Sequence, residues 1–205
     1  MLRAKKNSDE RRRISAVFAV RVHPSGSLLL TEEKIPCKIS EQRRERGRGL
    51  LEEHLLFMEE AIKEAKAAAL EGEVPIGAVV VCNGEIVGRG HNLREQDQDP
   101  TAHAEICALR DAGKNTGSWR LENCTLYVTM EPCPMCCGAL INSRVNTVVF
   151  GAREPKFGSA GSQLNLLQFP GFNHNVHIVG PIDQERCSNL MKDFFKSLRE
   201  KKSKK

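Results

Sequence analysis

Two short segments of the 205-residue chain carry residue types able to do chemistry: His103-Ala104-Glu105 and Pro132-Cys133-Pro134-Met135-Cys136. Each is expected to open a helix directly after a loop or strand. Spacing of three puts Cys133 and Cys136 on one helix face, about a turn apart. A helix N-terminus stabilises negative charge, so both thiols should ionise readily. Two adjacent thiolates call for a soft or borderline cation, and zinc is the usual one. His103 is the obvious third donor. One His and two Cys leave a tetrahedral zinc a fourth position for water, which is the arrangement of a catalytic site. Zinc lowers the pKa of such a water to about 7. Glu105 could take that water's proton and redeliver it without being a ligand.

Other readings of these residues stand beside that one. A C-x-x-C pair can be a redox site, although no tryptophan or glycine–proline pair accompanies this one as in thioredoxin-like sites. A structural zinc would need a fourth ligand. Cys107, at helical i+4 from His103, is the candidate, but Glu105 would then have no task. Cys137 points about 100° away from Cys136 and is expected to pack. Glu131 precedes the helix and would favour its positive end. His54, His91, His174 and His177 are expected to be surface or loop residues.

The surrounding pattern must position these groups. Leu55, Met58, Ile62, Ala65 and Ala69 recur at helical spacing over Leu51–Leu70, and Gly72 follows. Ile76–Cys82 is an apolar strand, Asn83-Gly84 a hairpin turn, and Ile86–Gly90 the returning strand. Asp99-Pro100-Thr101 signals a helix over Ala102–Ala112 that stops at Gly113. A strand over Thr125–Met130 leads to a helix opened by Pro132 and Pro134 and running to Ser143. Strands at Val145–Phe150 and Val176–Val179 and a helix over Asp183–Lys196 close the chain. Strands alternating with helices argue for an α/β fold with a sheet covered on both faces. The hairpin makes that sheet mixed.

Composition narrows the class. Apolar residues are 40% and charged residues 28%, as in a globular protein with a core. No apolar run approaches the roughly 18 residues of a membrane span. The net charge of +5 is unevenly spread: residues 1–50 hold 13 Lys/Arg and 6 Asp/Glu, and residues 196–205 hold 6 Lys/Arg and 1 Glu. An acidic centre thus lies between basic ends able to attract a polyanion. The eight cysteines, several inside apolar runs, suggest a reducing compartment. Ile14–Val20 is only seven apolar residues, ended by Arg21, and no Ala-x-Ala site follows. Residues 1–50 therefore read as a basic extension, either dispensable or preceding the true start, with organelle targeting a weaker alternative.

His-x-Glu followed by Pro-Cys-x-x-Cys is the signature of the zinc-dependent nucleoside and nucleobase deaminases. The match extends to Val74-Pro-Ile-Gly-Ala-Val-Val-Val81, Asn92, Pro100-Thr-Ala-His-Ala-Glu-Ile106, Leu126–Cys136, Gly138–Val145 and Val149–Ser162. Over about Glu53–Arg199 the chain resembles the bacterial-type tRNA-specific adenosine deaminases, within the cytidine/deoxycytidylate deaminase superfamily. The resemblance implies a three-layer, cytidine deaminase-like α/β/α sandwich with a mixed five-stranded sheet. The deaminase domain would span 51–199, between the 1–50 extension and a basic tail at 200–205. One Zn2+ per subunit would be held by His103, Cys133 and Cys136, with Glu105 as proton shuttle. Asn92, Ala104, Lys156 and Phe157 would meet the substrate, Phe157 either stacking on a base or packing.

The implied reaction is hydrolytic conversion of adenosine to inosine at the wobble position of a tRNA anticodon loop, by a zinc-activated water. Implied partners are the anticodon stem-loop and a second copy of the chain, in the cytoplasm, with no membrane. Two rivals share the motifs. One is a deaminase for a small molecule such as free cytosine or guanine. The other is a zinc-stapled binding module without activity, against which an intact Glu105 argues.

Overall fold

The computed structural model describes residues 17–22, 28–33 and 37–203. The chain divides into two compact units, Met1–Leu50 and Leu51–Lys205. In the first, β1 (Val17–Val22) and β2 (Leu28–Glu33) pair antiparallel, with Val17 opposite Glu33 and Val22 opposite Leu28. The run Ile14–Val20 thus lies partly in β1, and its first three residues fall outside the described ones. Helix α1 (Cys37–Leu70) begins well before the expected Leu51. The added stretch is rich in Glu, Gln and Arg, which favour helix by propensity. With Ile39 its one large apolar residue before Leu50, it has no apolar periodicity to reveal it.

The second unit continues with β3 (Gly77–Cys82), β4 (Glu85–His91), α2 (Arg94–Asp97), α3 (Ala104–Thr116) and β5 (Cys124–Met130). It closes with α4 (Pro134–Asn142), β6 (Thr147–Ala152), β7 (His177–Val179) and α5 (Gln184–Ser203). The five strands lie in the order β4-β3-β5-β6-β7. β3 runs antiparallel to both β4 and β5, while β5, β6 and β7 are parallel. This is the mixed five-stranded sheet expected. Asn83 (φ 51°) and Gly84 (φ 82°) form its hairpin turn, both in the conformation that a two-residue turn between twisted strands demands.

Alternation along the central strands builds the layers, because successive side chains point to opposite faces. Ala78, Val80, Leu126, Val128, Val148 and Phe150 face a core shared with Ala104 and Ala108 of α3 and Leu140 of α4. Val79, Val81, Tyr127 and Val149 face a second core, shared with Met58, Ala61 and Ile62 of α1 and Cys187 of α5. The result is an α/β/α sandwich.

Helix α3 lies unusually close to the sheet. Its buried Ala104, Ala108 and Ala112 repeat every four residues and pack on glycines of β4. A Cβ at Gly90 would come within 2.7 Å of the Ala104 carbonyl oxygen and would also strike the Ala108 amide. The helix passes the expected stop at Gly113 and ends at Gly117, whose φ of 68° makes it the left-handed cap. Gly113 stays helical, at a cost of about 1 kcal/mol relative to alanine. Helix α2 carried no sequence signal, and α5 extends past Lys196 to Ser203. Of the basic tail, Lys204 and Lys205 lie outside the described residues.

Candidate active site

His103 and Cys133 both occupy helix N-caps. Each has an extended backbone, with φ −77° and ψ 154° at His103 and φ −77° and ψ 173° at Cys133. Their carbonyls accept the first helical bonds, from Cys107 N–H (3.0 Å) and Cys137 N–H (2.9 Å). N-caps are normally Ser, Thr, Asp or Asn, whose side chains satisfy the first free N–H groups. Neither His103 nor Cys133 makes such a bond. Their side chains meet each other instead. Pro134 follows as N1 of α4, where its missing N–H costs nothing. Cys136 then falls at N3, one turn on, fully buried.

The His103 Nδ1 atom lies 3.7 Å from Cys133 Sγ and 3.6 Å from Cys136 Sγ. All three donor atoms lie within 4.8 Å of one another. A tetrahedral zinc with bonds of about 2.3 Å to sulfur and 2.05 Å to nitrogen sets a nitrogen–sulfur separation of about 3.6 Å. The spacing therefore fits such an ion. Cys107 does not join the three, which removes the four-ligand structural alternative among the described residues. The hydrogen bond from Cys136, helped by His103, holds the Cys133 thiol down at about 4 against the opposing effect of burial. That same bond, then burial, drives Cys136 upward. The bond to Cys133 raises the His103 imidazole.

Glu105 is the second helical residue of α3 and is 4% exposed. Burial pushes its carboxyl up. Ala104 beside it is fully buried in the core. Asn92, just past the end of β4, is also buried. Its backbone N–H donates to the Ile76 carbonyl (3.1 Å), and its Nδ2 donates to Glu73 Oε2 (2.9 Å). That bond orients the amide, turning Oδ1 away from Glu73. Glu73 is 1% exposed and also accepts the Gln96 N–H (2.8 Å), so it holds α2 as well. Sequence reasoning missed Glu73. The recognised motif starts one residue later, at Val74, and a single acid after Gly72 carries no periodic signal.

Glu131 has a different role from the helix-end charge expected of it. Its buried carboxylate accepts N–H groups from Glu154 (3.1 Å), Ala160 (3.1 Å) and Ser162 (2.9 Å), and the Ser162 hydroxyl. It ties down the loop that carries Lys156 and Phe157. Both of those side chains are exposed, Phe157 at 67%, so Phe157 is not a packing residue of this chain. Cys137 is packed as expected. Three histidines outside the cluster have structural partners, while His177 on β7 is exposed. His54 meets the Tyr127 hydroxyl (3.0 Å), His91 lies between Glu64 and Glu71, and His174 meets the Val145 carbonyl (2.7 Å).

Residues 52–199 match the model of the MafB19-like deaminase family. A tRNA-specific adenosine deaminase of Bacillus subtilis (strain 168) is 56% identical over 147 residues, covering 72% of this chain and 91% of that protein. The chain belongs to the tRNA-specific adenosine deaminase family. A solved structure from a study of A-to-I editing by tRNA:A34 deaminases at the wobble position of transfer RNA has a TM-score of 0.64 and 36% identity. It covers 66% of this chain and 99% of the solved one. A guanine deaminase from Nitrosomonas europaea shares the fold, with a TM-score of 0.60 over 67% of this chain and 82% of its own, at 23% identity. The chain is thus an enzyme of the hydrolase class that acts on C–N bonds. In this deaminase the sequence motifs and the spatial cluster coincide: residues 30 and 33 positions apart in the chain meet at one point.

Proposed function

We propose that this deaminase converts adenosine to inosine at the wobble position of a tRNA anticodon loop. The observation that carries the reading is the 56% identity to a tRNA-specific adenosine deaminase over 91% of that protein, and the buried Glu105 carboxylate and the His103–Cys133–Cys136 cluster supply the chemistry it needs. His103 Nδ1 and the Cys133 and Cys136 thiolates would hold one zinc ion per chain. When bound, zinc supplies a Lewis acid that makes a water at its fourth position acidic enough to act as nucleophile near neutral pH.

The chain's own residues do the rest. The cap positions present their donors without bending either helix. The Glu105 carboxylate would accept the proton released as the water oxygen bonds to C6 of adenine and pass it to N1, then take the proton of the new C6 hydroxyl and pass it to the amine, which leaves as ammonia when the C6–N bond breaks. Burial suits it to this work, because a carboxyl raised toward neutrality both takes and gives protons readily. Asn92, fixed by Glu73, offers Oδ1 to the target nucleoside, and Ala104 forms an apolar wall. The base must leave its stack to reach the site, which is easier from a loop than from a helix.

RNA contact is assigned to the exposed Lys156 and Phe157 and to the groove beside them. That groove, about 420 Å³, lies between the 153–156 loop and α5 and includes Arg153, Lys156, Lys192 and Arg199. Four cations there suit a phosphate backbone.

The working unit is a homodimer in the cytoplasm. Supporting a second copy is an apolar groove of about 570 Å³ between α3 and α4, lined by Ile106, Leu109, Trp119 and Ala139, with Trp119 exposed. A solution mass equal to one chain would overturn the dimer. Among the described residues no helix is long and apolar enough to cross a membrane. The deaminase domain is 51–199, with 1–50 accessory to it and 200–205 a basic tail. Supporting that division are the family match over 52–199 and the unit boundary after Leu50. A chain starting at residue 51 is expected to keep full turnover.

The deciding test incubates zinc-loaded protein with an anticodon stem-loop bearing adenosine at the wobble position, and inosine is read by sequencing. Inosine at that position alone is expected. Absence of inosine, with guanine or cytosine consumed instead, would replace the reading with small-molecule deamination.

A further inference from the structure

The connection from β5 to α4 is short, and the catalytic cluster begins directly after it. Glu131 sits in that connection, two residues before Cys133, and is 3% exposed. A carboxylate is an acceptor-only group with about four lone-pair sites. The 153–162 loop presents it with four donors. Ala160 N–H (3.1 Å) and Ser162 N–H (2.9 Å) reach Oε1, while Glu154 N–H (3.1 Å) and the Ser162 hydroxyl reach Oε2.

The backbone around it is tied as well. Glu131 N–H donates to the Ala152 carbonyl (2.8 Å), and Ser159 N–H donates to the Pro132 carbonyl (2.8 Å). Gly158 packs against the carboxylate so closely that a Cβ there would lie 2.5 Å from its carbon. The loop is therefore pinned on both sides of Lys156 and Phe157, whose side chains remain outside.

We propose that Glu131 is a positioning residue. Its buried carboxylate fastens the 153–162 loop to the start of α4, so that Lys156 and Phe157 are already placed when an RNA ligand arrives. The identity of that ligand rests on the function proposed above, but the fastening does not. Ordering a long side chain or a loop on binding subtracts from affinity. A loop ordered beforehand avoids that loss, and an exposed aromatic next to a cation is a suitable platform for an unpaired nucleotide. The acceptor-only chemistry makes the assignment specific. Glutamine at 131 would turn an NH2 group toward at least one N–H or O–H donor.

The test uses the full-length, zinc-loaded chain and the variant Glu131→Gln. Zinc content is expected to stay at one per chain. Amide exchange at Glu154, Ala160 and Ser162 is expected to quicken about tenfold or more. KM for the anticodon stem-loop should rise about tenfold while kcat changes less than about threefold. Unchanged protection of the three amides would overturn the fastening. A fall in kcat with unchanged KM would overturn the positioning role. If Glu131→Gln does not fold, Ser162→Ala removes one donor and leaves the three amides. It should raise KM about two- to threefold, and an unchanged KM would refute the proposal. Wild-type protein that makes no inosine would refute the RNA substrate, while amide exchange would still decide whether Glu131 holds the loop.

Discussion

Replacing Glu105 with glutamine separates chemistry from architecture more cleanly than any other single change. The side chain is 4% exposed, and burial is the main influence on its carboxyl. Glutamine keeps its volume and shape, so the Ala104–Ala108 packing against the sheet is undisturbed. It cannot accept and release a proton near neutrality. Removing a positioned general acid–base costs about 10²–10⁴ in rate. In the proposed reaction one group serves both the water and the leaving amine, so kcat should fall to the far end of that range. Stability should change by less than about 1.5 kcal/mol, because the amide fills the same space. The assay pairs single-turnover inosine formation with metal analysis and calorimetry on the same preparation. Retention of more than about a tenth of wild-type kcat, with zinc bound, would refute the shuttle role. Loss of zinc would instead make Glu105 part of the metal site.

Three other outcomes follow from particular contacts. Cys133→Ser replaces a thiolate held near 4 with a hydroxyl that does not ionise. Its metal content should drop below about a tenth of wild type, with a lower melting temperature only in zinc-containing buffer; equal metal content would remove Cys133 from the ligand set. Gly90→Ala puts a methyl group 2.7 Å from the Ala104 carbonyl oxygen. Overpacking of this kind costs about 1–3 kcal/mol, read as a lower urea midpoint, and an unchanged midpoint would show that α3 can move off the sheet. Lys192→Ala with Arg199→Ala removes two exposed cations from the α5 groove. The slope of log affinity against log salt for the stem-loop should become shallower by about 0.7 per cation lost, and an unaltered slope would place the RNA elsewhere.

The site was legible in the sequence because its two halves are marked twice. Each motif has the residue types of a metal centre, and each sits where a strand or loop gives way to a helix. The structure explains why the marks coincide. An N-cap residue is already extended and its side chain is free to leave the helix axis, so His103 and Cys133 can converge without distorting either backbone. Glu105 then lands on the first turn, where it is buried by the same packing that fixes α3. The sheet was legible for a related reason. The continuous apolar run Ile76–Cys82 and the Asn83-Gly84 turn are local signals, and the second strand of the hairpin is bound to follow.

What stayed hidden was everything set by partners distant in the chain. Glu73 and Glu131 are single acids whose neighbours in sequence say nothing of their burial. Their meaning comes from Asn92 and Gln96 in one case and from Glu154, Ala160 and Ser162 in the other. Helix boundaries failed for the same reason at Gly113, which lies within a helix whose end is fixed four residues later by the positive φ of Gly117. The two hidden acids share a function in the architecture. Each is a buried acceptor that fixes a segment next to the cluster: Glu73 holds Asn92 and α2, and Glu131 holds the 153–162 loop. If both segments meet substrate, as proposed, the metal cluster and Glu105 are common equipment for deamination, and the two buried acids fix the surfaces that choose what is deaminated. That division predicts where a change of substrate should map. Variants at Glu73 or Glu131 should alter KM and substrate preference before they alter zinc content, whereas variants at His103, Cys133 or Cys136 should do the reverse.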